Sequence, residues 1–383
     1  MNLDVNHLSY HQKTNLGSFY TPSHLVKLVY ETLSRNIHNQ SIDVMLEPAC
    51  GYGAFFSEVF PFQNVRFIGA DIDHTALSLA SQKYQNVVFI ANNLLTKPSR
   101  EKYGIKEDER LVIVGNPPYN DVTSKVKNKI KSEICEIDND LRTRDLGLSS
   151  LLAFIKLDPE YIAVLHPLSY LIKKANFLVL KPLMNNYKLL EAVVFNSQEF
   201  SETSKATGFP IVAVVYEKSH KGTRYEQVLH WRFKTLENSE FSLSDFEYIC
   251  KYIPKYPSNY LKKSVFKFFT MRDINALKRS RTFITEDSAN TIYIPPEKLL
   301  YYCYIDVFKD IISYLPYYMG NLDVPFDKLK FENIKEEFLV MSIAKHPDIF
   351  SEKYQLPSQS RLKAAQTRVN LYFKEFLGVT LCI

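Results

Sequence analysis

The sequence predicts an α/β fold built around a mostly parallel sheet of seven strands. Short apolar runs rich in β-branched residues recur along the first 218 residues, and segments with helical spacing separate them. Each run is too short for a helix, and a nearly continuous apolar composition is typical of parallel strands that are buried on both faces. The predicted strands are residues 43–46, 65–70, 87–91, 111–115, 161–167, 190–195 and 211–216.

A helix is predicted ahead of the first strand. Thr21 suits the N-cap position, because its hydroxyl can accept from a free backbone N–H, and Pro22 suits the first helical position. Leu25, Val29 and Leu33 follow at helical spacing. They predict one apolar helix face that packs against the sheet.

A glycine-containing loop follows the first strand. Gly51 and Gly53 can adopt positive φ angles and allow a ligand to approach the backbone closely. The loop lacks the third glycine of a dinucleotide fingerprint, so it is weak evidence for NAD. Asp71 ends the next strand, about 20 residues further on, where an acidic residue commonly holds ribose hydroxyl groups. Asp73 is then predicted to cap the following helix.

The tetrapeptide Asn116-Pro117-Pro118-Tyr119 ends the fourth predicted strand. In open α/β sheets ligands bind beyond the carboxyl ends of the strands, which is where these residues fall. The prolines fix φ and remove two N–H donors, so their carbonyls are rigid acceptors. Asn116 adds a side-chain carbonyl and Tyr119 adds an aromatic ring. The set predicts a site for a planar group that bears an amine, and a Pro-Pro loop that merely closes a strand is the alternative.

Three motifs in this order resemble those of gamma-type DNA adenine-N6 methyltransferases. Residues 47–53 are similar to motif I of enzymes that use S-adenosylmethionine, residues 116–119 to motif IV, and residues 17–22 to motif X. The resemblance spans about residues 15–218 and implies a Rossmann-like methyltransferase domain. It also implies that Asn116, Pro117, Pro118 and Tyr119 are catalytic. The residues that it implies for S-adenosylmethionine are Thr21, Glu47, Ala49, Gly51, Gly53, Asp71 and Asn92.

The remaining motifs match less closely. Asn92 stands where the family often has an Asp that accepts from the cofactor adenine, and its amide oxygen can accept but brings no charge. Residues 144–146 resemble motif V. Residues 161–167 resemble motif VI, although residues 158–160 replace the usual Gly-Gly. His166 at the end of this strand is expected to be a hydrogen-bonded structural residue rather than a base.

Family members often place an aromatic residue opposite the motif IV tyrosine, on the other face of the target base. Phe200 and Phe209 both precede the last predicted strand. We assign base stacking to Tyr119 and Phe200, because Phe209 lies so near the strand that it is expected to pack in the core.

The composition is typical of a soluble, intracellular enzyme. The chain has 383 residues, of which 46% are hydrophobic, enough for substantial cores in two domains. No apolar stretch approaches a membrane span and no signal peptide opens the chain, so we expect no membrane contact and a cytoplasmic location. The five cysteines form no zinc pattern, and no metal is expected.

The net charge of +5 permits nucleic-acid binding without demonstrating it. Four lysines follow the tetrapeptide closely and are candidates for contacts to DNA phosphates, namely Lys125, Lys127, Lys129 and Lys131. The alternative is a solvated loop in which Glu133 and Glu136 offset their charge.

Two domains are predicted: residues 1–218 as the catalytic domain and residues 219–383 as a target-recognition domain that binds DNA. The second region is rich in tyrosine and lysine, and we expect it to be mixed or mainly helical. Lys278, Arg279 and Arg281 are among its candidate phosphate contacts.

The resemblance therefore implies an adenine-specific methyltransferase that acts on a base flipped out of double-stranded DNA. A methyltransferase with the same tetrapeptide that acts on an RNA adenine or on a protein glutamine is one alternative. A DNA-binding subunit without activity is another. A separate restriction endonuclease could be a partner, and the sequence does not indicate the oligomeric state.

Overall fold

The computed structural model describes residues 21–37, 42–57, 64–119, 136–200, 208–257 and 266–379. The chain forms two compact units, Met1–Ser242 and Leu243–Ile383. No helix among the described residues is both long and apolar enough to cross a membrane.

A nine-stranded sheet is the centre of the first unit. Its strands are β1 (Val44–Glu47), β2 (Arg66–Asp71), β3 (Val87–Ala91), β4 (Leu111–Gly115), β5 (Tyr161–Pro167), β6 (Tyr187–Asn196), β7 (Pro210–Lys218), β8 (Phe233–Thr235) and β9 (Glu240–Phe241). They lie in the order β3-β2-β1-β4-β5-β7-β6-β8-β9. The first five strands are parallel to one another, whereas β7 runs antiparallel to β5 and β6. Strand order reverses between β1 and β4, where a crevice forms in sheets of this kind.

The mostly parallel sheet predicted from the sequence is confirmed, but it has nine strands rather than seven. Every residue of β1 and β4 is buried, as expected for central parallel strands. The two additional strands, β8 and β9, extend the sheet beyond β6.

Helices cover this sheet and connect its strands. They are α1 (Ser23–Asn36), α2 (His74–Lys83), α3 (Leu146–Ile155), α4 (Ser169–Ile172), α5 (Lys174–Val179), α6 (Lys181–Asn186) and α7 (Tyr225–Leu229). In α1 the predicted face of Leu25, Val29 and Leu33 is buried, and the helix packs on β5 and β7. Pro22 rather than Thr21 occupies the N-cap position of α1, so the capping role predicted for Thr21 is wrong. Asp73 caps α2 as predicted, accepting from the next helical N–H groups.

The second unit contains short strands and six helices within its described residues. The strands are β10 (Glu247–Tyr248), β11 (Lys267–Phe269), β12 (Phe283–Ile284), β13 (Thr291–Tyr293) and β14 (Pro325–Phe326). The helices are α8 (Ile274–Arg279), α9 (Leu299–Ile311), α10 (Lys328–Glu332), α11 (Lys335–Lys345), α12 (Pro347–Phe350) and α13 (Gln359–Leu377). α9 packs on α11, and α11 packs on α13, around buried aromatic rings such as Tyr304 and Phe338. The unit is mainly helical, as expected.

The two units divide after Ser242, whereas the sequence predicted a boundary after residue 218. The intervening segment contains α7, β8 and β9. β8 pairs with β6 through Val193 and Val194, so this segment belongs to the sheet of the first unit.

Candidate active site

The loop after β1 is shaped by two glycines in the left-handed region, Gly51 at φ +48° and Gly53 at φ +75°. A Cβ at Gly53 would lie 3.0–3.1 Å from the rings of Phe56 and Tyr84, so this glycine is required for packing. A Cβ at Gly51 would meet no described atom within 4 Å. On the side of its missing Cβ, Gly51 therefore faces no other described residue, and its N–H donates to the Asp71 carboxylate at 2.7 Å. Ala49, between Glu47 and this turn, is partly buried.

Glu47 and Asp71 place two desolvated carboxyl groups beside this loop. Burial, and then the neighbouring Asp71 charge, hold the pKa of Glu47 well above its usual range. Burial also raises the pKa of Asp71, although backbone N–H groups of Asp73 and Gly51 oppose the shift. Glu47 is only 3% exposed, and its Oε2 has no hydrogen-bond partner among the described residues. This pair is suited to a ligand that is cationic or rich in hydrogen-bond donors.

The carboxyl ends of β2 and β3 add an apolar side chain and an amide to the same edge. Ile72 follows Asp71 directly and is 51% exposed, which is unusual for an isoleucine. The Asn92 N–H donates to the Asp71 carbonyl at 2.9 Å, and its Nδ2 is buried without a partner in the described part of the chain. Sequence reasoning did not identify Ile72, although an apolar residue directly after a strand-end acid was a signal for it.

Gly115 links the loop after β1 to the tetrapeptide. It ends β4 at φ +148°, a conformation that favours glycine. A Cβ at this position would lie 3.4 Å from Cγ of Glu47. The buried Glu47 side chain therefore packs against the backbone that leads into Asn116.

Asn116 presents an acceptor that no described residue uses. Its Nδ2 donates to Oγ1 of Thr21 at 3.2 Å, and Thr21 is 4% exposed. Its Oδ1 is buried without a hydrogen-bond partner among the described residues. The amide is thus oriented through its nitrogen, and a buried acceptor without a partner is costly unless a ligand supplies a donor. Thr21 and Asn116 were predicted separately, and the structure brings them together.

Tyr119 lies beside this amide. Pro117 is buried, whereas Pro118 and Tyr119 are partly buried. Burial raises the pKa of the Tyr119 hydroxyl, and a hydrogen bond from the Asn116 side chain opposes the shift. The tetrapeptide therefore presents an amide oxygen and an aromatic ring at the carboxyl end of β4.

Gly147 and Tyr170 form a wall against Tyr119 that the sequence did not reveal. A Cβ at Gly147 would lie 2.5 Å from the Tyr170 hydroxyl oxygen and 2.9 Å from Cβ of Tyr119. The Tyr170 hydroxyl donates to Oδ1 of Asp145, which also accepts from the Gly147 N–H at 2.8 Å. Asp145 is the N-cap of α3. Gly147, the residue after the predicted motif V (residues 144–146), thus packs against the tetrapeptide.

His166 is held inside the unit. It is fully buried; the Tyr170 ring stacks on it with centroids 5.3 Å apart, and the Tyr216 ring lies nearly parallel to it with centroids 6.2 Å apart. Nδ1 lies 2.9 Å from the Pro167 carbonyl and Nε2 lies 2.9 Å from the Tyr216 hydroxyl. A neutral ring that donates through Nδ1 and accepts through Nε2 satisfies both contacts. Burial lowers the pKa of His166 to about 4, in keeping with a structural histidine.

Phe200, which the sequence analysis assigned to base stacking, is enclosed within the first unit. Phe200 is 2% exposed and packs in the core, with its ring centroid 6.0 Å from that of Phe195. Phe209, which we expected in the core, is partly buried and packs against the same hydrophobic cluster. The predicted phosphate contacts Lys125, Lys127, Lys129 and Lys131 lie outside the described residues.

Comparison with known proteins gives one family. The family model described as N-6 DNA methylase matches residues 5–228, more than half of the chain. Two curated type II methyltransferases of Haemophilus influenzae, M.HincII and M.HindII, are 29% identical over 108 residues, or 28% of this chain. That match covers 18% and 17% of their own lengths, so the chain spans less than a fifth of the curated relatives that it matches.

Solved structures with a similar arrangement include a Listeria monocytogenes protein described as a class I S-adenosylmethionine-dependent methyltransferase. It is 15% identical and has a TM-score of 0.41, and the match covers 60% of this chain and 68% of the Listeria protein. The N-methyltransferase NodS from Bradyrhizobium japonicum, solved with S-adenosyl-L-homocysteine, is 13% identical and has a TM-score of 0.31. The match covers 51% of this chain and 85% of NodS. On the match of the family model, this chain belongs to the N-6 DNA methylase family, whose methyl donor is S-adenosylmethionine.

Proposed function

We propose that this chain is a site-specific DNA methyltransferase that methylates the N6 amino group of adenine. The observation that carries the proposal is Oδ1 of Asn116, a buried acceptor without a partner among the described residues. It lies at the carboxyl end of β4, beside the ring of Tyr119. An exocyclic amine on a planar base offers the donor that this atom lacks.

The residues around the loop after β1 fit S-adenosylmethionine. Glu47 and Asp71 suit its ammonium and ribose hydroxyl groups, because both carboxyls are desolvated and Oε2 of Glu47 has no partner in the described structure. The open side of Gly51 gives room for close approach, and exposed Ile72 can cover an adenine ring. Asn92 offers an amide to the same ring. When bound, this cofactor supplies an electrophilic methyl group on a positively charged sulfur.

The tetrapeptide acts on the target amine by hydrogen bonding. The lone pair of an adenine N6 amine is delocalised into the ring, which makes the amine a poor nucleophile. Oδ1 of Asn116 and the Pro117 carbonyl can each accept from one N–H of this amine and so localise the lone pair on nitrogen. Thr21 keeps the Asn116 amide in the required orientation through its nitrogen. The contribution of the protein is positioning and fixed dipoles.

The proposed target lies inside the duplex and must be flipped out to reach this site. Flipping costs a few kcal/mol, and stacking on an aromatic side chain returns about 1–3 kcal/mol. Tyr119 offers one face for the base, and Phe209 is our candidate for the other. Double-stranded DNA is accordingly the proposed partner, and a separate restriction endonuclease remains a proposal from the resemblance alone.

The test is methyl transfer from labelled S-adenosylmethionine to unmethylated DNA, with digestion to nucleosides and mass spectrometry of the product. We expect N6-methyladenine in DNA from the unmodified chain. Asn116→Ala should abolish it and leave cofactor affinity within about twofold, because the residue faces the target. Asn116→Asp, which keeps an oxygen acceptor, should retain more activity than the alanine variant.

Total cellular RNA and a protein extract serve as parallel substrates. N6-methyladenine in RNA alone, or label in protein alone, would replace the DNA proposal by the corresponding alternative. Near-normal DNA methylation by Asn116→Ala would show that Oδ1 is not the acceptor for the target amine.

A further inference from the structure

Four cationic residues lie on or beside the segment that ends α8 in the second unit. Lys278 and Arg279 end α8, Arg281 follows after Ser280, and these three side chains are exposed. Lys309 of α9 joins them, because its Nζ donates to the Ser280 carbonyl at 2.5 Å. We call this set the Ser280 corner; it consists of Lys278, Arg279, Arg281 and Lys309.

No acidic side chain among the described residues forms an ion pair with any of these four cations. The nearest acids on α9 are engaged elsewhere. Asp310 pairs with Lys345 at 2.9 Å, and buried Asp306 accepts from Thr282, Ser342 and His346. Two half-buried lysines of α10 and α11 in the same unit do have acidic partners. Lys330 lies 3.7 Å from Glu375, and Lys335 lies 2.9 Å from Glu332.

Local structure explains only part of this concentration of charge. Lys278 and Arg279 lie in the last turn of α8, where cations interact favourably with the helix dipole. That effect is small for a six-residue helix, and it does not account for Arg281 or Lys309. Arg281 rests over the Phe269 ring, 5.9 Å from its centroid, which holds the guanidinium at the surface. The second unit also carries most of the net charge of the chain, with 20 Lys and Arg against 16 Asp and Glu.

We propose that the Ser280 corner binds the phosphates of duplex DNA and so positions the second unit on the target. The inference rests on the proposed function and extends it by naming a surface of contact. Regularly spaced phosphates need several unpaired cations presented together, and Arg is suited to bidentate phosphate contacts. Such contacts fix register and orientation without reading sequence.

The experiment measures binding of the full chain to a mixed-sequence DNA duplex by fluorescence anisotropy over a range of salt concentrations. The test variant is Lys278→Gln with Arg279→Gln, and the matched control is Lys330→Gln with Lys335→Gln. Both remove two positive charges from the same unit. Each lost phosphate contact lowers the slope of log affinity against log salt by about 0.9, so the test variant should lose nearly 2. At about 0.1 M salt its affinity should fall by about 10- to 100-fold, and the control should stay within about threefold.

The outcomes separate this inference from the proposed function. Equal slopes and affinities for the test and control variants, with an unmodified chain that binds and methylates DNA, would overturn the Ser280 corner alone. An unmodified chain that binds no DNA duplex would overturn the proposed function and this surface together. If the test variant loses the same affinity for duplex RNA as for duplex DNA, and the unmodified chain binds the RNA more tightly than the DNA, DNA is rejected as the partner. Circular dichroism and cofactor affinity should be unchanged in both variants.

Discussion

The backbone N–H of Gly51 donates a 2.7 Å hydrogen bond to one carboxylate oxygen of Asp71. The other oxygen accepts from the N–H of Asp73 at 3.0 Å. A single side chain therefore joins the loop after β1 to the segment that begins α2. Since backbone donors favour its ionised form while burial opposes it, Asp71 is held as an acceptor that also shapes the loop.

Asp71→Ala should weaken S-adenosylmethionine binding by about 10- to 100-fold. Hydrogen bonds to a charged group contribute about 1.5–3 kcal/mol, and this change removes those to the ligand and to the loop. Isothermal titration calorimetry measures the affinity. Asp73→Ala is the control: it removes the cap of α2, which should cost about 1 kcal/mol of stability with affinity little changed. A similar loss of affinity in both variants would mean that general loosening of this region, not Asp71, limits binding.

His166 makes the stability of the first unit depend on pH. Its pKa is lowered by burial to about 4, whereas in the unfolded chain it has its ordinary value of about 6.5. Between these values the unfolded chain binds a proton that the folded chain does not, so protonation favours unfolding. Stability should therefore fall as the pH drops from about 6.5 to 4, by about 3 kcal/mol in total from this residue.

Urea unfolding at a series of pH values checks this expectation. Trp231 is the only tryptophan of the chain and lies in the first unit, so its fluorescence reports on the unit that contains His166. His166→Gln should be less stable at neutral pH but should lose less stability on acidification. A variant whose stability falls as steeply as that of the unmodified chain would assign the acid sensitivity to other groups.

The sequence predicted the fold, and proposed the candidate site, from residues that have a strong local effect on the backbone or on burial. The tetrapeptide, the two glycines and the apolar runs each constrain the backbone or its burial directly, and the parallel strands were found near their observed bounds. β8 and β9 were missed because strands of three and two residues are too short for a pattern to stand out, and pairing of β8 with β6 and of β9 with β8 defines them. The enclosure of Phe200 by the core was not foreseen, because burial at the end of a strand depends on what packs there, not on distance along the chain.

Gly147→Ala should impair methyl transfer more than cofactor binding. The added Cβ would lie 2.5 Å from the Tyr170 hydroxyl oxygen and 2.9 Å from Cβ of Tyr119, and the hydroxyl is held by Asp145. Overpacking of this kind typically costs about 1–3 kcal/mol of stability. Displacement of Tyr119 should slow single-turnover methyl transfer by about 10- to 100-fold.

The double variant Gly147→Ala with Tyr170→Phe tests the mechanism of this effect. Removing the Tyr170 hydroxyl deletes the atom nearest to the new methyl group, so part of the lost rate should return. Tyr216→Phe is the matched control, since it removes the hydroxyl of the other tyrosine that contacts His166. Equal rescue by both phenylalanine variants would show that the wall around Tyr119 is not the source of the effect.

Phe209, rather than Phe200, should contact the flipped base. Ser197 fixes the backbone of Phe209 through two hydrogen bonds. Its hydroxyl oxygen accepts from the Phe209 N–H at 3.0 Å, and its backbone N–H donates to the Phe209 carbonyl at 2.9 Å. The Phe209 ring is only partly buried, whereas Phe200 is enclosed by the core. Phe200→Ala should therefore cost about 3–5 kcal/mol of stability, as expected for a large buried ring.

The stacking role can be measured with 2-aminopurine at the target position, once methylation mapping has identified the recognised sequence. This base fluoresces when it is unstacked, and an aromatic ring against its face quenches it. Phe209→Leu should brighten the flipped base and weaken its binding by up to about 3 kcal/mol, while Phe209→Tyr should leave both unchanged, because only the latter keeps an aromatic face. If leucine and tyrosine at 209 give the same signal as the unmodified chain, the second face of the base is covered by another residue and Phe209 is a packing residue.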